Sequence, residues 1–246
     1  MESENQILTF IKAIDKQFFS SFINDGQVCM NTIKWFRDYE KYDSNIGDAF
    51  EGAKVVCGKD FTVSFASYVK SDGSKEDFKS KMASANWQEL DKGENFKIFD
   101  DSDDGNIFSL YTITLDVFDE KAGNYLLPKK FIDEFSNHRF VMIIDPMTFL
   151  SKMNIAISKI GKSMKYGIVQ YYKLNEKLVK NLSNFNKKDG LIYQNEFRIL
   201  FEDEKAVQQI FNIGSTSDLC IEIDVNKKYI LERIDNEQFL IKMITK

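Results

Sequence analysis

Residues 140–160 read FVMIIDPMTFLSKMNIAISKI. Phe140 to Ile144 is an uninterrupted apolar run, the pattern of a buried strand. Asp145-Pro146 then opens a helix, because proline suits the first helical turn, and the helix is predicted to run to about Ile160. Downstream the sequence returns to strands at Gly167 to Lys173, Leu191 to Phe201 and Leu219 to Val225, with a helix predicted near Asn175 to Leu182. Upstream lies a short strand, Ile7 to Lys12, then a helix capped by Asp15 and running through Asn24, with Gly26 ending it. Gln27 to Met30 is a second strand, and Asn31 or Thr32 caps a helix that carries Ile33, Trp35, Phe36 and Tyr39. Lys54 to Ala66 and Ile107 to Phe118 are β-favouring, and Lys129 to Asn137 reads as a helix. Residues 70–106 are polar and acidic and give no clear element. Helices and strands therefore mix without a strict βαβ rhythm. That order predicts an α+β fold with a mixed, largely antiparallel sheet and flanking helices. No internal repeat or Pro/Gly/Ser linker divides the chain, so residues 1–246 are expected to form a single globular domain.

Composition narrows the classes of function. The net charge is −5, with 33 Lys and Arg spread along the chain, so the dense basic stripe of a duplex-DNA binder is missing. Cys29, Cys57 and Cys220 are far apart in sequence and form no CxxC pair. They read as reduced thiols, and a cytoplasmic location is expected. No apolar run approaches the roughly 20 residues of a membrane span, so no membrane partner is expected.

Three motif-like stretches fail on their own chemistry. Gly161-Lys162-Ser163 resembles the end of a phosphate-binding loop, but position 156 is Ala and a helix is expected to precede it. Asp100 to Gly105 imitates a calcium loop, yet its twelfth position would be Tyr111, inside a strand, where a bidentate Glu is needed. His138 is the sole histidine, which excludes multi-histidine zinc sites, and its place between a helix and a strand suggests a surface or capping role. No metal site is expected.

Two segments remain. Trp35 to Gly52, WFRDYEKYDSNIGDAFEG, offers Arg37, Glu40, Asp48 and Glu51 to a common cavity, with Arg37 and Glu40 adjacent at i and i+3; the bland reading is a solvated helix and an acidic loop. Tyr193 to Phe201, YQNEFRILF, puts Gln194, Glu196 and Arg198 in a row on one face of a strand. A buried-strand Glu beside an Arg is either a structural ion pair or a site, and the residues alone leave both open.

The run Tyr193-Gln194-Asn195-Glu196-Phe197-Arg198-Ile199 resembles the late strand that carries the catalytic Glu in ADP-ribosyltransferases. The first strand of those enzymes carries a His or Arg, where this chain has Thr9 and Lys12, and their Ser-Thr-Ser strand has a loose counterpart in Ser109-Leu110-Tyr111-Thr112. The chain is also similar, over about residues 22–202, to a group of uncharacterised bacterial and prophage proteins. They share an Arg-x-x-Glu helix and a Gly-Asp-x-x-Glu loop (Arg37, Glu40, Gly47, Asp48, Glu51), a Tyr-Gly-x-Val-x-Tyr strand (Tyr166, Gly167, Val169, Tyr171) and a Glu-x-Arg strand (Glu196, Arg198). The first resemblance implies an ADP-ribosyltransferase-like fold and an enzyme that uses NAD in a phage-defence, anti-defence or toxin context. Glu196 is then catalytic, with Arg37, Glu40, Glu51, Tyr111, Tyr166 and Arg198 around the substrate, and the acceptor a protein or nucleic acid. The alternative is a non-catalytic interaction module, a phage-encoded inhibitor or a defence-system subunit, in which the same charges form a buried network.

Overall fold

The computed structural model describes residues 6–44, 46–57, 64–67, 86–89, 96–99, 104–118, 124–173, 178–203, 206–234 and 239–244. Its centre is an eight-stranded sheet. In chain order the strands are β1 (Ile7–Asp15), β2 (Gln27–Thr32), β3 (Gly105–Thr114), β4 (His138–Ile143), β5 (Lys165–Ile168), β6 (Glu196–Glu202), β7 (Gln209–Asn212) and β8 (Cys220–Glu222). They lie in the order β5-β6-β3-β1-β4-β8, while β2 joins the edge of β3 and carries β7 on its other side. Every ladder of this sheet is antiparallel. The α+β class, with a largely antiparallel sheet, is thus the observed one.

Alternation along the strands gives the sheet two apolar faces. One carries Phe10, Ile14, Phe108, Leu110, Val141, Ile143, Phe197, Ile199 and Phe201. It is covered by α1 (Phe19–Asp25) and α4 (Pro146–Lys159), the latter burying Phe149, Met153, Ala156 and Ile157 at helical spacing. Asp145 caps α4, its carboxylate accepting from the Thr148 N–H at 3.0 Å. The opposite face carries Ile11, Tyr111, Ile113, Phe140 and Met142 beneath Phe131 of α3 (Lys129–Glu134). Thr32 caps α2 (Ile33–Tyr39) by accepting from the Trp35 N–H at 2.9 Å.

Local expectations fail where a ladder claims the backbone first. Asp15 does not cap α1: it is the last residue of β1, paired with His138, and its carboxylate accepts from Gln17 N–H, so a turn intervenes before Phe19. The helix expected near 175–182 is not formed at its described end. Leu178–Val179 pair antiparallel with Val56 and Cys57, Asn181 is left-handed at φ 58°, and Leu182 N–H donates to Lys54 O. The strand expected from Gly167 to Lys173 breaks at Val169. It then moves from β6 to a parallel pairing of Gln170–Tyr172 with Asn186–Lys188. Leu191 to Asn195 is not strand either. Asp189–Gln194 is a 3-10 helix, and Asn195 turns left-handed at φ 35°. There its side-chain amide donates to Thr112 O at 2.8 Å while its own carbonyl accepts from Thr112 N–H at 2.9 Å. Asparagine tolerates that conformation better than most residues. The calcium-like stretch 100–103 lies outside the described residues.

Candidate functional site

The site begins as a gap in the sheet. β3 pairs with β2 only at Asn31↔Ile107 and Thr32↔Asn106, and with β1 only from Ile11↔Tyr111 onward. Between Ile107 and Tyr111 the two neighbours diverge, β2 towards β7 and β1 towards β4. In an antiparallel ladder the backbone groups of alternate residues point to alternate sides. Thr112 N–H donates to Asn195 O, on the β6 side, so the groups of Ser109 point into the gap. The Lys12 Nζ fills part of it, donating to Ser109 O at 2.8 Å and lying 4.3 Å from the Phe108 ring centre. A cleft of about 470 Å³ opens here, within the usual range for small-molecule sites.

The polar floor of the cleft comes from β3, β6 and the segment before β6. Glu196, opposite Tyr111 in register, is 3% exposed and borders the cleft with Ser109, Lys187 and Gln194. Its Oε1 accepts from Ser109 Oγ and from Arg198 Nε, both at 2.6 Å, and its Oε2 lies 2.7 Å from Lys187 Nζ. Lys187 also donates to Gln194 Oε1 at 2.8 Å. The Glu196 backbone N–H donates to the Tyr171 hydroxyl at 3.0 Å. Burial alone would push the Glu196 carboxyl up, but Arg198 and Lys187 override it by charge and hydrogen bonding and hold it well below the usual carboxylate range. Glu196 is therefore ionised at neutral pH.

Behind the floor stands the charged loop. Arg198, 1% exposed, grips Glu51 bidentately, Nη1 to Oε1 at 2.6 Å and Nη2 to Oε2 at 2.7 Å, and also donates to Asn184 O. Burial pushes the Glu51 carboxyl up, against the pull of Arg198 and Lys187, and Asp48 adds to the push. Glu40 Oε2 accepts from Ala49 N–H at 2.9 Å while its Oε1 pairs with Lys188 at 2.7 Å. Asp48 accepts from Phe50 N–H at 3.0 Å. Arg37 Nη1 donates to Glu51 O at 3.5 Å and its guanidinium lies over Phe99. Arg37 thus holds the Glu51 backbone, Lys188 bridges Glu40 and Asp48, and the Glu51 side chain pairs with Arg198.

The walls are apolar and ring-rich: Phe18, Trp35, Phe36, Phe131, Phe135 and Tyr111. Burial pulls the Lys12 ammonium down to about 8, only partly countered by Glu196 and Cys29. Burial likewise pushes the Cys29 thiol up and the His138 imidazole down.

The chain matches no family model, no curated protein and no solved structure.

Of the residues singled out in the sequence, Glu196 and Tyr111 border the cleft. Arg198 and Glu51 lie directly behind Glu196, whereas Arg37 and Glu40 stand in the loop scaffold and do not line the cleft. Tyr166 is on the other side of the sheet, 58% exposed with its ring 5.9 Å from Phe197. His138 is half-buried and lines the cleft as the first residue of β4. Sequence reasoning missed Lys187 and Ser109 as partners of Glu196. It noticed Lys12 but gave it no role, although a lone charge within ILTFIKAI was a signal. Lys187, in the polar run NKKD, offered none. Among the described residues no His, Cys, Asp or Glu cluster is arranged to hold a metal ion, and no helix is long and apolar enough to cross a membrane.

Proposed function

We propose that the protein is an ADP-ribosyltransferase-like enzyme that takes NAD in the cleft, with Glu196 as its catalytic carboxylate. The observation that carries this reading is the Glu196 carboxylate held by Ser109, Arg198 and Lys187 at the border of a ring-lined cleft. Breaking the bond between nicotinamide and ribose develops positive charge on the sugar, which a fixed carboxylate stabilises. Oε1 already accepts two hydrogen bonds and Oε2 only the contact from Lys187 among the described residues. A carboxylate oxygen can accept twice, so a ribose hydroxyl would be taken at Oε2. The rings of Tyr111, Trp35 and Phe131 would offer π faces to nicotinamide or adenine. Tyr166 and Arg37 have no direct part in this version of the site. We place the enzyme in the cytoplasm, in a phage-conflict or toxin setting, with a protein or nucleic acid as acceptor.

One observation favours the second reading, a non-catalytic interaction module from the same setting. Glu51, Arg198, Glu196 and Lys187 alternate in sign and satisfy one another while nearly sealed from water. A network of that kind is sufficient as structure. Incubating the purified protein with NAD and following nicotinamide release separates the two. Release above the uncatalysed background is expected; a folded protein that binds no NAD and releases none overturns the enzyme reading.

A further inference from the structure

Lys12 lines the cleft, and the nucleotide reading leaves its amine unused. It stands on β1 where the sheet parts, and its side chain lines the cleft. Its Nζ donates one hydrogen bond, to Ser109 O, and rests against the Phe108 ring. Among the described residues it has no salt-bridge partner. The titratable groups that face it are Glu196 from β6, Cys29 from β2 and His138 from β4. None of them pairs with it among the described residues, in contrast to Lys187, which lies 2.7 Å from Glu196 Oε2. The rings that line the same cleft, Phe18, Phe131 and Phe135 among them, suit a flat apolar body.

We propose that Lys12 is a nucleophilic amine site whose ligands are small carbonyl compounds with an aromatic body, bound as imines. The neutral amine attacks the carbonyl carbon, forming a C–N bond and a carbinolamine. The carbinolamine oxygen then leaves as water. Both hydrogens of that water come from the amine, no electrons are gained or lost, and the product is the Lys12 imine. Burial favours the step: with its pKa near 8, Lys12 holds about 300-fold more neutral amine at pH 7 than an ordinary lysine does.

The test uses the whole protein with limiting benzaldehyde and sodium cyanoborohydride at pH 7, followed by intact mass and peptide mapping. The α-amino group is set aside, because its ordinary pKa lies in the same range. The expected result is one benzyl adduct on the peptide containing Lys12, formed at least about 30-fold faster than on any other lysine. Lys12→Arg, which keeps a donor for Ser109 O, should abolish that adduct and leave slow labelling elsewhere unchanged. Lys12 labelled no faster than surface lysines, or unlabelled in the folded protein, overturns the proposal. The readout needs no NAD turnover, so this site and the nucleotide reading stand or fall separately.

Discussion

Arg198 touches Glu51, Glu196 and the Asn184 carbonyl without contacting the cleft itself. Removing the buried guanidinium leaves Glu51 without its ion-pair partner and Glu196 with Lys187 as its one remaining cation among the described residues, whereas removing both signs together is far less harmful. Arg198→Met is therefore expected to lower stability by about 3–5 kcal/mol, read from the denaturant midpoint. Glu196→Gln is a milder change in shape, but it leaves Lys187 and Arg198 with excess positive charge. Under the proposed chemistry, nicotinamide release should fall by about 10²-fold or more at temperatures where circular dichroism shows the variant folded. A parent protein without release, paired with a variant that only melts earlier, leaves the interaction module standing. The carboxylate and its guanidinium were legible in Glu-x-Arg because strand alternation puts i and i+2 on one face. Lys187 and Ser109 were not, because they reach Glu196 through pairings that only the folded sheet creates.

The loop 40–52 shows why its motif residues were legible as a group and misread in role. Asp48 and Glu51 looked like cavity groups, yet each is 1% exposed and used in the scaffold. Gly47 packs so closely on α2 that a Cβ there would come within 2.1 Å of the Glu40 backbone nitrogen. A methyl group cannot be accommodated by a side-chain shift when backbone is what it meets. Gly47→Ala should cost about 1–3 kcal/mol or more and loosen the Glu51–Arg198 pair, which thermal melting of the single and the Arg198 double variant would show as non-additive. Helix α4 was read almost to its ends, since its Asp cap, N-terminal proline and apolar spacing agree. Elements at 15–18 and 169 were misplaced because long-range ladders claimed backbone that local propensity assigned elsewhere, and at 189–194 a 3-10 helix stands where strand was expected.

For the molecule as a whole, the sheet joins both cores, and the buried charges make its stability depend on acid. Glu196 has a folded pKa below its unfolded one, so the unfolded chain binds more protons below the ordinary carboxylate range and stability falls as pH falls. Its contribution is complete above about pH 4.3 and is lost below it. Glu51, pushed the other way, acts above that range instead, so the two effects fall in separate windows. Melting temperature should therefore drop steeply from about pH 4 to pH 2. The drop should be shallower in Glu196→Gln, as a pH series of thermal melts would register.

The parting of β1 and β2 along β3 has a consequence for the solvent. Ser109 is a central residue of the sheet, paired with Arg198 on the β6 side, yet among the described residues neither β1 nor β2 places a partner opposite it on the other side. Its amide proton should trade for deuterium while those of Phe108 and Leu110, turned towards β6, still hold theirs. An occupant of the cleft that reaches the backbone would slow that trade at one position, making a single amide the gauge of whether the gap is filled.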